Sequence, residues 1–478
     1  MAGFPVAQYS ESVCRLAGHS FWFRQRQARA GEVKNAQSKG ERKRSKFLMM
    51  GILLCSGVVE PLQAGEFAYG AGYQAEHSDN IRLTSTDERS DWIHTLLTGF
   101  AYQENSADLV ARVHAQATYY DYQRSSFDNE TLFDLNSSAV WTISPQRFLW
   151  TLEDNYQQGL VNSTGVDTPA NRTNLNVLST GPDVYLRIAP VHTLALGARV
   201  GDVYTGQVNA DNKRFTGTAG WLYQYSPTTT LSLNYRALDV KYDNTVLNND
   251  FVTQDVFFRG QFQPSRSQYV IDLGNTRTSF DRGADVKGTL ARFSWIRQAT
   301  QESRFGVSAS RELSNTGTDV LGTTSAGETA APSGLTRTVI TGDVYTSKGG
   351  TIFYTRRGSL FGAQFEASRR KFDFATTPQD RKETDGRLQI DYFVSALTTA
   401  SLFTQYTRTE YLNFFQRDTE RSSGLRLDHH LNRTVSLGLE ARHHDRDSTV
   451  SSLNFVDNRA LITIQYSSGP LFTPLHRR

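Results

Sequence analysis

The chain has 478 residues and a formal charge of +3, with 38% hydrophobic residues, 21 Tyr and 28 Phe. After residue 65 no apolar run approaches the roughly 20 residues that a spanning helix needs, so any membrane reading has to be a β-barrel reading. The first 64 residues hold 10 Lys+Arg against 4 Asp+Glu; the remainder carries 51 − 10 = 41 basic and 48 − 4 = 44 acidic residues, a net of −3 with no concentrated basic face for nucleic acid.

Both cysteines, Cys14 and Cys55, fall in this leader, and a body without thiols suits an oxidising compartment. Residues 39–46 are strongly basic, 47–59 are apolar, and Pro61-Leu62-Gln63-Ala64 permits a cut after Ala64. That order is the order of a secretory signal, and the apolar run is short for an uncleaved membrane anchor. Residues 1–64 are therefore expected to be an N-terminal extension plus signal peptide, 65–466 a barrel, and 467–478 a C-terminal tail.

From Phe67 onward the pattern predicts strands at 67–83, 89–103, 107–123, 130–143, 147–160, 172–188, 191–205, 213–226, 229–244 and 250–263. It continues at 267–281, 284–298, 302–314, 338–356, 359–374, 384–397, 400–413, 418–430, 434–447 and 455–466. In residues 221–236, Trp221, Tyr223 and Tyr225 share one parity, and beyond Pro227 Leu231, Leu233 and Tyr235 alternate with Ser232, Asn234 and Arg236. Side chains of a strand alternate between faces, so each strand has one apolar face and one that requires water.

A soluble sandwich would turn the apolar face inward; the connections argue otherwise. Short turns at Pro145, Pro190, Pro227 and Arg357-Gly358 alternate with longer polar loops, as on the two rims of an outer-membrane barrel, with the short rim periplasmic. The expected fold is all-β, a transmembrane antiparallel up-and-down β-barrel of about 20 strands (18–22), in the outer membrane of a Gram-negative cell envelope. The last strand puts Ile462, Ile464 and Tyr466 on one face and resembles the aromatic-ended terminal strand by which the barrel assembly machinery recognises its clients, although residues 467–478 follow it. Trp92, Tyr102, Tyr119, Trp141, Trp150, Trp221 and Trp295 suit interfacial girdles, while Tyr120 shares the Arg112 parity and can face inward, where sugar rings stack.

Residues 314–337 form the longest break, rich in Gly, Ser, Thr and Ala and without aromatics. Composition points first to a disordered surface loop; the alternative is a loop folded into the pore as a constriction.

No serine elbow, phosphate loop, paired-histidine zinc motif or calcium loop occurs, so no catalytic residue, cofactor or metal ligand is nominated and no enzyme is expected. The pairs His429-His430 and His443-His444 flank a turn and are placed about 30 Å apart, too far to share a metal. Water-side positions supply Arg112, Arg199, Arg236, Arg259, Arg370 and Arg442 against Asp272, Glu366, Asp391, Asp428 and Glu440. The plain reading is a solvated lumen wall with cross-strand ion pairs; the functional one is an electrostatic filter for a polar or anionic solute.

Glu76-His77-Ser78-Asp79-Asn80-Ile81-Arg82-Leu83, followed by Asp91-Trp92-Ile93, resembles the opening of a family of outer-membrane β-barrel porins associated with exopolysaccharide gene systems, exosortase-linked ones included. The resemblance implies an outer-membrane component of exopolysaccharide export, with a polysaccharide substrate, outer-membrane lipid and a periplasmic export partner. Asp79 and Asn80 are expected to hold the first extracellular turn through side-chain to backbone bonds. A general diffusion porin, a closed structural or surface-interaction barrel, and a barrel enzyme without a linear motif remain as alternatives.

Overall fold

The computed structural model describes residues 65–325 and 339–469. The leader expected at 1–64, residues 326–338 of the long loop and residues 470–478 of the tail lie outside the described residues. Alternation is realised as twenty strands. In order they are β1 (Glu66–Ser78), β2 (Asp91–Asn105), β3 (Leu109–Tyr122), β4 (Glu130–Ser144) and β5 (Phe148–Leu160). There follow β6 (Arg172–Ala189), β7 (His192–Tyr204), β8 (Asn212–Ser226), β9 (Thr229–Tyr242) and β10 (Phe251–Phe262). The second half holds β11 (Ser267–Phe280), β12 (Val286–Gln298), β13 (Ser303–Ser314), β14 (Tyr345–Arg357) and β15 (Phe361–Phe374). It ends with β16 (Arg381–Phe393), β17 (Thr398–Tyr411), β18 (Arg417–His430), β19 (Val435–Ser448) and β20 (Phe455–Ser467). One helix, α1 (Thr316–Ser325), lies between β13 and β14.

Each strand pairs antiparallel with the next, and β1 pairs with β20 from Ser78↔Arg459 to Gly70↔Ser467, so the sheet closes on itself. Closure removes both sheet edges, the condition for a sheet to cross lipid. Turns of two to four residues join even strands to the following odd ones, and Pro145, Pro190, Pro227 and Pro264 all lie in them. The opposite rim carries connections of five residues or more. The short rim is periplasmic and holds both ends of the described barrel.

Cross-strand register fixes which side chains share a face. Leu233, Phe258 and Leu273 lie opposite one another on β9, β10 and β11 and are 52%, 46% and 57% exposed, whereas Asp255 and Asp272, on the other parity, are 1% exposed. An apolar outer surface around a charged inner one inverts a soluble sandwich and matches a barrel in lipid. The protein is an outer-membrane β-barrel. Trp141 and Trp150 face each other across β4 and β5 beside their short turn, and with Tyr102, Trp221 and Trp295 they mark the periplasmic side; Trp92 and Tyr119 sit outward near the other rim. Tyr120 is on the inward parity.

Four expected boundaries, on three strands, move by three residues or more. β1 stops at Ser78 and β14 starts at Tyr345, so 79–83 and 339–344 lie outside the strands; β16 begins three residues earlier than expected and ends four earlier. The reason at β1 is a change of partner. The Ser78 hydroxyl donates to Asp457 at 2.6 Å, Asp79 accepts from the Asn458 backbone N–H at 2.7 Å and from its side-chain amide at 2.8 Å, and the buried Asn80 amide donates to Thr84 O at 2.8 Å and Val456 O at 3.0 Å. Side-chain to backbone bonds do hold the first turn, and most of them also tie it to β20, sealing the extracellular end of the seam between first and last strands. Asn80→Ala strands several of these buried partners and is expected to lower unfolding stability by about 1–3 kcal/mol, read by urea unfolding of the detergent-folded barrel.

Candidate functional site: the lumen wall and its inward loops

The water-side parity of β9 to β13 builds a charged wall. Arg236 on β9 lies directly opposite Asp255 on β10 with their charged atoms 2.6 Å apart. Two inward rows closer to the periplasm, beyond Phe257, Arg259 donates twice to Asp272, at 2.7 and 2.8 Å, in the forked geometry that guanidinium and carboxylate share. Arg292 on β12 then sits 3.4 Å from Asp272 and 3.6 Å from Glu312, and the guanidiniums of Arg259 and Arg292 flank the Phe257 ring at 5.5 and 5.4 Å. Three arginines and three carboxylates thus form one network across five adjacent strands.

All nine lumen candidates lie on inward-facing parities, but they do not converge. Arg199 pairs with Asp183 at 2.5 Å on β6 and β7. Arg370 reaches Asp385 at 4.0 Å, Glu366 lies opposite Arg387, and Asp391 accepts from Gln389 at 2.9 Å and Ser401 at 2.7 Å. Arg442 donates to Glu440 two residues away on β19, with Nε at 2.9 Å. Arg112 is exposed and makes no ion pair among the described residues. Asp428, also on the water side, pairs with Arg426 at 2.8 Å. Sequence reading did not supply Asp183, Asp255, Arg292 or Glu312; each occupies a water-side position, so parity alone identifies them once register is known.

The histidines need one correction. Register sets His443 opposite Ser423, six residues from His429 on the same strand, or about 20 Å rather than 30 Å. The expectation counted residues up one strand without folding back over the shared turn. His429 and His443 face outward, while His444 faces inward, 3.7 Å from Glu420.

Two extracellular connections fold into the ring. In the first, 315–344, the described part is ordered structure inside the barrel, against the expectation of a surface loop. Its reason is a greasy lumen wall near the extracellular rim. Leu175, Val177 and Val203 on β6 and β7 bury Val320 and Ile340, while Leu238, Val240 and Phe251 pack with Val344. Ile340 N–H donates to Leu160 O at 3.1 Å, so the segment reaches from β13 and β14 to the end of β5. Arg214 on β8 donates to Asn315 at 2.7 Å, Tyr345 donates to Asp319 at 2.5 Å, and Tyr242 donates to Gly342 O at 2.7 Å. A β-carbon at Gly317 would stand 2.5 Å from the Arg214 guanidinium, so any larger residue there requires that side chain to shift.

The second loop, 161–171, crosses to the opposite wall. Gln416 donates to Thr164 O and Arg446 to Thr164 O and Gly165 O, all at 3.0 Å, while Arg446 pairs with Asp418 at 2.6 Å. Tyr411 donates to Ser163 O. Beneath this loop a polar cavity of about 100 Å³ is lined by Gln74, Glu76, Tyr120, Arg172 and Arg459 among others. The arrangement is a charged lumen wall toward the periplasm with two inward loops on the extracellular side.

No protein-family model matches the chain, and no curated protein matches it. Among solved structures it is similar to Pseudomonas aeruginosa OccK2 (OpdF), at 10% identity over 85% of this chain and 99% of that one, TM-score 0.36. It is also similar to the copper transporter OprC, at 9% identity over 85% and 81%, TM-score 0.43. A third is a mutant of the ferric enterobactin receptor PfeA of Pseudomonas aeruginosa, at 8% identity over 84% and 81%, TM-score 0.46. At such scores nothing about cargo passes from those proteins to this one.

Proposed function

We propose that this barrel is the outer-membrane passage for a polar, acid-bearing saccharide polymer, the outermost component of an exopolysaccharide export system that hands over from a periplasmic partner. The observation that carries the reading is the inward wall, where arginine and carboxylate alternate across β9 to β13. The three guanidinium side chains are 25%, 34% and 29% exposed, so each can offer its free N–H groups to a passing carboxylate while still held by its own partner. The polysaccharide assignment rests on the Ser78-Asp79-Asn80-Ile81 resemblance, and inward Tyr120 adds a ring on which a sugar can stack.

The test is a deletion strain scored for secreted exopolysaccharide and complemented with the wild-type barrel or with Arg236→Glu/Arg259→Glu. Secretion lost on deletion and restored only by the wild type supports the proposal. Unchanged secretion, together with ohmic pores from the purified protein, supports the second reading, a general diffusion porin.

A further inference from the structure

We infer that the outer face of β13 to β18 is a docking site for a phosphorylated, multiply acylated glycolipid of the outer leaflet. Register aligns Arg311, Lys348, Lys371, Lys382, Glu410 and Arg417 in one outward-facing cross-strand row, each opposite the next. The row below adds Arg369 and Arg408. Like charges directly opposite one another on a sheet repel, and four consecutive cations in one row is an arrangement a sheet carries only with a counter-anion at hand. On these six strands the outward acids are Asp373, which takes Lys348 at 2.9 Å and Lys371 at 2.5 Å, and Glu410, which takes Arg408 at 2.7 Å and Arg417 at 3.4 Å. Arg311 and Arg369 are exposed and make no ion pair among the described residues. The extracellular edge of β7 to β11 has the opposite character, where Lys241 stands among Asp239, Asp250 and Asp281.

Height matches a headgroup. From Tyr392 near the periplasmic rim to Lys382, both outward on β16, the ten residues rise about 25 Å at 3.3 Å per residue and a 40° tilt, the height of an outer-membrane apolar band. A second, apolar feature lies elsewhere on the outer face, eight residues or about 26 Å along β16, β17 and β18 from the cation row. The outer face carries an apolar hollow of about 670 Å³, floored by Ala75, Ala400, Ala441 and Ala460 and walled by Trp92 and Tyr392 among others. On β18 the hollow's Leu425 is four residues, about 13 Å, from Arg421, which faces the same way two rows below the cation row. Alanines at the floor leave acyl-sized space on a lipid-facing wall that is separate from the cation row. Arginine and lysine both bind phosphate through charge-assisted hydrogen bonds.

The test uses the purified full-length barrel in detergent and native mass spectrometry with bis-phosphorylated lipid A, phosphate-free lipid A, or inorganic phosphate as probe. Arg311→Gln/Arg369→Gln/Lys382→Gln is expected to bind bis-phosphorylated lipid A about tenfold more weakly than the wild type. Ala441→Trp, which fills the hollow away from the cation row, is expected to leave that binding unchanged, and inorganic phosphate to bind neither protein. Heat-modifiable migration reports folding, and Arg311→Lys/Arg369→Lys, which keeps the charge, is expected to retain binding. Equal retention of lipid A by wild type and the glutamine variant, equal binding of phosphate-free lipid A, or phosphate binding independent of acyl chains would each overturn the assignment.

Discussion

Replacing residues 316–341 with a short Gly-Ser link is expected to raise single-channel conductance in planar bilayers several-fold. The described part of this segment fills the space between β13–β14 and β5–β7 on the extracellular side, and its anchors to the wall include Arg214 to Asn315, Tyr345 to Asp319, Tyr242 to Gly342 O and Ile340 to Leu160 O. Arg214→Ala removes the first of them while leaving Val320 and Ile340 buried, so it should give a flickering current with open intervals like those of the deletion. Unchanged conductance in the deletion would mean that loop 161–171 alone sets the narrowest point.

Asp272→Ala is expected to be the costliest single substitution in the wall. The carboxylate is 1% exposed and serves both Arg259 and Arg292. Removing one partner from a buried ion pair leaves uncompensated charge, and such losses run about 3–5 kcal/mol. Lumen water reaches the two arginines, whose side chains are 34% and 29% exposed, so a value near about 3 kcal/mol is expected, measured by urea unfolding in detergent. The same variant leaves two guanidiniums facing the passage, and the reversal potential in a salt gradient should move toward anion selectivity. Asp272→Asn keeps the shape and a hydrogen-bond acceptor, so it should recover part of the stability while keeping the selectivity shift.

The barrel itself was legible because its code is local. Period-two alternation set each strand, and prolines at 145, 190, 227 and 264 marked the periplasmic turns without any knowledge of partners. What escaped was long-range. Residues 314–337 read as a surface loop because nothing in them is aromatic, yet the described ones up to Val320 are held by residues elsewhere. The signal was present in the walls: Leu175 and Val177 on β6, and Leu238 and Val240 on β9, put apolar side chains on the water-side parity close to the extracellular rim. A lumen facing only water has no use for them; a lumen holding a packed segment does. The early expected start of β14 has the same origin, since 339–344 carries strand-like residues, Ile340 and Val344 among them, that pack against the inside of the barrel.

Arginine positions on the wall were likewise legible from parity, whereas their partners were not. Arg236 meets Asp255 and Arg259 meets Asp272 through register, which the sequence leaves open until turn lengths are fixed. The same register aligned the outward cations of β13 to β18, scattered along 107 residues of sequence from Arg311 to Arg417, into one row.

Cysteine scanning along β9 tests the central claim most directly. Both native cysteines precede residue 65, so a serine-substituted background carries single probes cleanly at Leu233, Asn234, Tyr235 and Arg236. In nanodiscs, a charged, membrane-impermeant maleimide is predicted to label Asn234→Cys and Arg236→Cys while leaving Leu233→Cys and Tyr235→Cys unmodified. Labelling on the opposite parity, or no labelling at Asn234 and Arg236, would contradict a water-filled passage lined by the arginine face.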